Sequence, residues 1–122
     1  MAEYTQNLEW RSRQNEAPST DVYAQAAGST ATAVITHPIL RVTATEACVL
    51  TVPNGNPGQM LKIITMGDFD TDVTPTTSTE VTAIALDDTG DSCTLFYAND
   101  TDGWLIIGTN GAANAILFTV AS

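Results

Sequence analysis

The sequence predicts an all-β fold: a small β-sandwich or β-barrel/meander of about seven short strands, following an extended N-terminal arm. Three observations predict it. Apolar and β-branched residues fall in short runs, turn-forming residues separate the runs about every ten positions, and several runs carry bulky residues at consecutive positions. At 122 residues the chain has room for one domain, because one hydrophobic core takes about 100–150 residues. Its 43% hydrophobic and 15% charged content separates it from the charged, apolar-poor class that stays disordered.

Residues 1–33 read as the arm and residues 34–122 as the β-rich domain. The arm is rich in Gln, Asn, Ser, Thr and Ala, with isolated apolar positions at Tyr4, Leu8, Trp10, Val22 and Tyr23, so it cannot build a core alone. Pro18 and the run Ala26-Ala27-Gly28-Ser29-Thr30-Ala31-Thr32-Ala33 read as flexible linker, since small residues bury little and lose much backbone entropy on ordering. Tyr4, Leu8 and Arg11 are spaced for a short helical turn that is too short to be stable in water by itself.

From Val34 the predicted strands are Val34–Thr43, Cys48–Val52, Met60–Met66, Thr79–Leu86, Ser92–Ala98, Trp104–Gly108 and Ala115–Val120. Turn signals lie at Pro53-Asn54-Gly55-Asn56-Pro57-Gly58, Gly67-Asp68-Phe69-Asp70, Asp87-Asp88-Thr89-Gly90-Asp91, Asn99-Asp100-Thr101-Asp102-Gly103 and Thr109-Asn110-Gly111. Gly and Asn tolerate positive φ there, Pro presets φ, and Asp and Asn bond back to their own backbone. Within Thr79–Leu86, alternation assigns Val81, Ala83 and Ala85 to one face and Thr82, Ile84 and Leu86 to the other. Met60-Leu61-Lys62-Ile63-Ile64 and Trp104-Leu105-Ile106-Ile107 are bulky at successive positions, which a sheet with one wet face does not favour. Two covered faces are implied, the second covering coming from another sheet or from a neighbouring subunit, and a homo-oligomer is the preferred reading.

Charge narrows the partners. Against 14 acidic residues stand Arg11, Arg13, Arg41 and Lys62, a formal net charge of −10, which repels phosphate backbones and anionic lipid. Neither nucleic acid nor a membrane surface is an expected partner. The first ten residues lack the basic and apolar regions of a secretory signal, and no run of about 18 apolar residues could span a bilayer; a cytoplasmic start is expected. Cys48 and Cys93 each sit in an apolar stretch, the setting of free, buried thiols rather than of a disulfide framework.

No constellation for chemistry holds together. Gly67-Asp68-Phe69-Asp70-Thr71-Asp72 spaces carboxylates like the start of a calcium loop, yet Val73 and Thr79 fall where that loop needs Gly and a bidentate carboxylate. Asp87, Asp88 and Asp91, and Asp100 with Asp102, read as solvated turns. The single His37 cannot supply a zinc ligand set or a nucleophile's base unaided. The paired carboxylates lack the apolar surroundings that raise a general acid's pKa, and no nucleophile elbow, phosphate loop or dinucleotide fingerprint occurs. The chain is expected to be no enzyme, with no cofactor and no metal. Phe69, Phe96, Tyr97, Trp104 and Phe118 read as core. Tyr4, Trp10 and Tyr23 sit in the polar arm, where a Trp beside Arg11 and Arg13 marks a contact site, since Trp, Tyr and Arg dominate binding hot spots.

Residues 48–112 carry a resemblance. Leu50-Thr51-Val52-Pro53-Asn54-Gly55-Asn56-Pro57-Gly58-Gln59, then Val73-Thr74-Pro75, then Asp87-Asp88-Thr89-Gly90-Asp91-Ser92-Cys93-Thr94-Leu95-Phe96-Tyr97, then Gly103-Trp104-Leu105-Ile106-Ile107-Gly108-Thr109-Asn110-Gly111-Ala112 resemble the β-rich domains of tailed-bacteriophage head-decoration, head-fibre and tail-fibre proteins. The resemblance implies a trimeric, non-catalytic virion surface protein, assembled in the host cytoplasm. The short chain favours a capsid decoration, or cement, protein bound to the major capsid protein. The arm, with Tyr4, Leu8, Trp10, Arg11, Arg13 and Tyr23, would then be the attachment element, ordering on the capsid lattice by strand addition. The alternative is a receptor- or glycan-binding knob of a head or tail fibre, with the acidic loops and Trp104 meeting a host surface.

Overall fold

The computed structural model describes residues 21–111 and 116–120. Among them are ten strands and no helix: β1 (Val22–Ala27), β2 (Thr30–Thr32), β3 (Ile39–Ala44), β4 (Cys48–Val52), β5 (Met60–Thr65), β6 (Thr71–Pro75), β7 (Val81–Leu86), β8 (Ser92–Tyr97), β9 (Trp104–Asn110) and β10 (Leu117–Val120). They build two five-stranded sheets: sheet A in the order β1-β3-β5-β8-β9 and sheet B in the order β10-β7-β6-β4-β2. The fold is all-β and sandwich-like, with both sheets open rather than closed into a barrel.

The chain alternates between sheets. From β1 to β6 each strand lies in the sheet opposite to that of its predecessor, so β1, β3 and β5 pair in parallel in sheet A and β2, β4 and β6 pair in parallel in sheet B. This winding is finished by antiparallel strands, β8 and β9 continuing sheet A beside β5, and β7 and β10 continuing sheet B beside β6. No strand from β1 to β6 pairs with the one before it in sequence, so no hairpin joins consecutive strands of this run.

One core joins the sheets. Leu40, Val42, Leu61, Ile63 and Leu95 from sheet A meet Leu50, Val52, Val73, Ile84 and Leu86 from sheet B, all at 0% exposure. Each contributes about 1.5–3 kcal/mol by leaving water, the source of cohesion for strands whose partners lie far along the chain. Among the described residues four buried positions are polar, Thr65, Thr71, Asp91 and Ser92, and the buried hydroxyls of Thr65 and Thr71 have no hydrogen-bond partner.

Three expectations change. Residues 22–27 and 30–32, read as part of a flexible arm, are strands of the two sheets; Ala27 and Ala33 are buried at 5% and 4% exposure. Their small side chains signal little by themselves, but β3 and β4 supply the parallel partners. Residues 1–20 of the expected arm lie outside the described residues. β6 occupies Thr71–Pro75, where turn residues dominate the preceding sequence. On β7 a register irregularity opposite Thr119 and Val120 breaks the alternation at Thr82, so Val81 is buried together with Ile84 and Leu86.

Candidate functional site

The turn motifs meet at one end of the sandwich, and they meet around Trp104. Trp104 is wholly buried, its indole N–H donates to the Pro53 carbonyl at 2.9 Å, and its ring stands edge-on to Tyr97, centroids 5.1 Å apart. Gly55 presses on the same indole, since a Cβ there would lie 2.9 Å from Trp104 Cζ2. Gln59 pins the turn: its Nε2 donates to Ile35 O at 2.9 Å and its Oε1 accepts from Asn56 N at 2.9 Å. The Pro53–Gln59 turn and the Gly103–Trp104 segment are thus two halves of one packing arrangement. Tyr97 donates its hydroxyl to Asp100 at 2.7 Å. That bond, together with burial and the Asp100 charge, pushes Tyr97's ionisation above its ordinary range. A Trp in this position cannot meet a host surface, and the contact expected of it in the knob alternative is overturned.

The opposite end is acidic. The turns after β3 and β5 and the turn from β7 to β8 bring Glu46, Asp68, Asp70, Asp72, Asp87, Asp88 and Asp91 to this end. Asp91 is 1% exposed, and its carboxylate accepts from the Asp87 and Asp88 amides at 3.2 and 3.1 Å, so it builds the turn. Gly90, at φ 92°, sends its N–H to Thr65 O. Thr89 ties this turn to the β5–β6 loop by donating to Asp68 Oδ1 at 2.9 Å. Burial, then the charges of Asp70, Asp72, Asp88 and Asp91, raise the pKa of Asp87. Among the described residues no three His, Cys, Asp or Glu side chains form a group that could hold a metal ion.

The loop from Gly67 to Asp70 projects from this end with Phe69 48% exposed, and Met66 beside it is 42% exposed. Phe69, expected in the core, is therefore a surface residue, as is Phe118 at 44%; Phe96 is half-buried and faces outward, while Tyr97 and Trp104 are core. For Phe96, Tyr97, Trp104 and Phe118 the separating signal exists only as strand register, whereas Phe69 lies in the loop between β5 and β6.

Register also defines the outer face of sheet A. Met60, Phe96 and Leu105 form one cross-strand row pointing away from the core, and Lys62 and Ile64 continue along β5 on the same side. Arg41 lies beside Ile64 on β3. Met60 is 50% exposed, Phe96, Leu105 and Ile64 are half-buried, and Arg41 and Lys62 are exposed. Arg41 and Lys62 are the only Arg or Lys among the described residues, and no outward position on these strands holds Asp or Glu. Parallel strands are usually covered on both faces.

Tyr23, the described member of the expected attachment set, lies on β1 with its ring 5.4 Å from that of His37. Tyr4, Leu8, Trp10, Arg11 and Arg13 fall outside the described residues. Cys48 and Cys93 are free and buried; burial pushes the Cys93 thiol up to about 12, and burial followed by Asp72 and Glu46 raises Cys48. Searches against protein-family models and curated proteins match nothing to this chain.

Proposed function

We propose that the chain is a structural virion protein, a capsid decoration or cement protein that binds the outer surface of a phage head, stabilises it and has no catalytic role. The observation that carries this reading is the apolar outer face of sheet A, left uncovered by the chain's own described residues. It supports a protein built to assemble. The convergence of the Pro53–Gln59 and Gly103–Trp104 motifs on one packing centre supports the resemblance in a further way, because these residues work as parts of a fold rather than as chemistry. Asp91, Asp100 and Asp102 are engaged in turn building, with Tyr97 and with Asn99 respectively. The trimer and the partnership with the major capsid protein belong to the same proposal, and an assembly presenting several arms would bind a capsid multivalently.

The test is sedimentation of the purified chain with empty, expanded heads of the phage whose genome encodes it. Saturable binding is expected, and removal of residues 1–20 is expected to abolish it while leaving the β-sheet circular dichroism intact. The deletion stops at residue 20 because β1 and β2 belong to the sheets. Normal binding by the truncated chain would overturn the arm mechanism, and absence of binding by the full chain would overturn the capsid reading.

A further inference from the structure

We infer that the outer face of sheet A is the docking surface for the acidic Gly67–Asp70 loop of a second copy of this chain, in a head-to-tail contact. This inference rests on the self-assembling part of the proposed function and not on the identity of the particle. Charge complementarity carries it. In a strongly acidic chain this face is the exception, for Arg41 and Lys62 stand in adjacent rows of neighbouring strands with no outward Asp or Glu among them. A cation pair set in an apolar field selects a partner that offers carboxylates around a hydrophobic side chain. The chain presents that arrangement: Phe69, 48% exposed at a loop tip, has Asp68 and Asp70 on either side.

The two surfaces fit by chemistry. Phe69 supplies an aromatic side chain for the row formed by Met60, Phe96 and Leu105, where thioether and ring contacts accommodate it. Asp68 and Asp70 then reach Lys62 and Arg41, the Arg offering a forked pair of donors. Docking also relieves the acidic end, where burial and then the charges of Asp70, Asp72, Asp88 and Asp91 raise Asp87. Because loop and face are different surfaces of one chain, the contact is heterologous: each copy gives its loop to one neighbour and its face to another, and a closed ring results when the rotation closes.

Sedimentation velocity on the full-length chain reads the outcome directly. The wild type is expected to associate, more weakly as salt rises from about 0.05 M to about 0.5 M, since partly exposed charge pairs are screened. R41E/K62E is expected to raise the dissociation constant about a hundredfold, because like charges facing each other across an interface are strongly unfavourable. D68K/D70K should do the same, and the four-fold variant carrying both reversals should regain association. Urea midpoints near the wild-type value show that each variant is folded. An assembled R41E/K62E, or a folded four-fold variant that stays monomeric, overturns the docking surface while leaving self-association standing. A wild type monomeric at about 100 μM, a concentration that populates any contact tighter than about 0.1 mM, overturns both.

Discussion

Replacing Gly103 with Ala should destabilise the domain by about 2–5 kcal/mol, a large part of the ~5–15 kcal/mol available to a small domain. Two costs make up that figure. Gly103 has φ 69°, and an L side chain in this left-handed region costs about 1–2 kcal/mol. An added Cβ would also collide with the Thr77 carbonyl and stand 2.9 Å from Thr77 Cβ. That carbonyl cannot retreat freely, because it accepts the Trp104 amide at 2.9 Å, and leaving such a buried amide unpaired costs about 1–3 kcal/mol. Two controls separate the terms. Gly58 has φ 90°, and a Cβ added to it would meet nothing within 4 Å, so Gly58→Ala should cost only the backbone term of about 1–2 kcal/mol. Gly108 has open space and no positive φ, so Gly108→Ala should be neutral or stabilising by up to about 1 kcal/mol. Urea unfolding ranks the three, with the Gly103→Ala midpoint about 1–3 M below wild type at the slope of a small domain. A Gly103→Ala loss no greater than that of Gly58→Ala would refute the collision with Thr77.

Asp87 sets a pH dependence. Its pKa in the folded chain is raised above the ordinary 3.8, so the native state holds a proton that the unfolded chain releases, and this group's contribution to stability falls as pH rises through that window. Asp87→Asn should therefore raise the melting temperature at pH 7 and leave it unchanged at pH 3; an equal gain at both values would rule out titration as the cause. Thr65→Val and Thr71→Val remove buried hydroxyls that lack partners, and each should stabilise by about 1 kcal/mol in urea unfolding, given the cost of an unsatisfied buried polar group. A loss on either substitution would mean that the hydroxyl is bonded in solution.

Strands that announce themselves by a dense apolar run were legible. Cys48–Val52 is observed as predicted, and Met60–Met66 and Ser92–Ala98 differ from β5 and β8 by one residue at the end. The long predicted run Val34–Thr43 was not, since residues 33–38 bend around Pro38 before β3 begins. β1, β2 and β6 escaped because their residues are small or polar and their partners lie more than a turn away in sequence. Tertiary placement likewise decided the aromatics: Phe69 and Trp104 both adjoin turn signals, yet Phe69 is exposed in the loop between β5 and β6 and Trp104, on β9, is wholly buried.

Composition and local pattern determined the all-β class, the turn positions and the strongly acidic balance, because these follow from backbone preference and side-chain chemistry within a few residues. The alternation of β1 to β6 between two sheets, the wrapping of two distant motifs around Trp104, and the gathering of Arg41 and Lys62 onto one apolar face were decided only by tertiary structure. Each depends on which strand lies beside which, and that choice is made by burying a common core rather than by any local run of sequence.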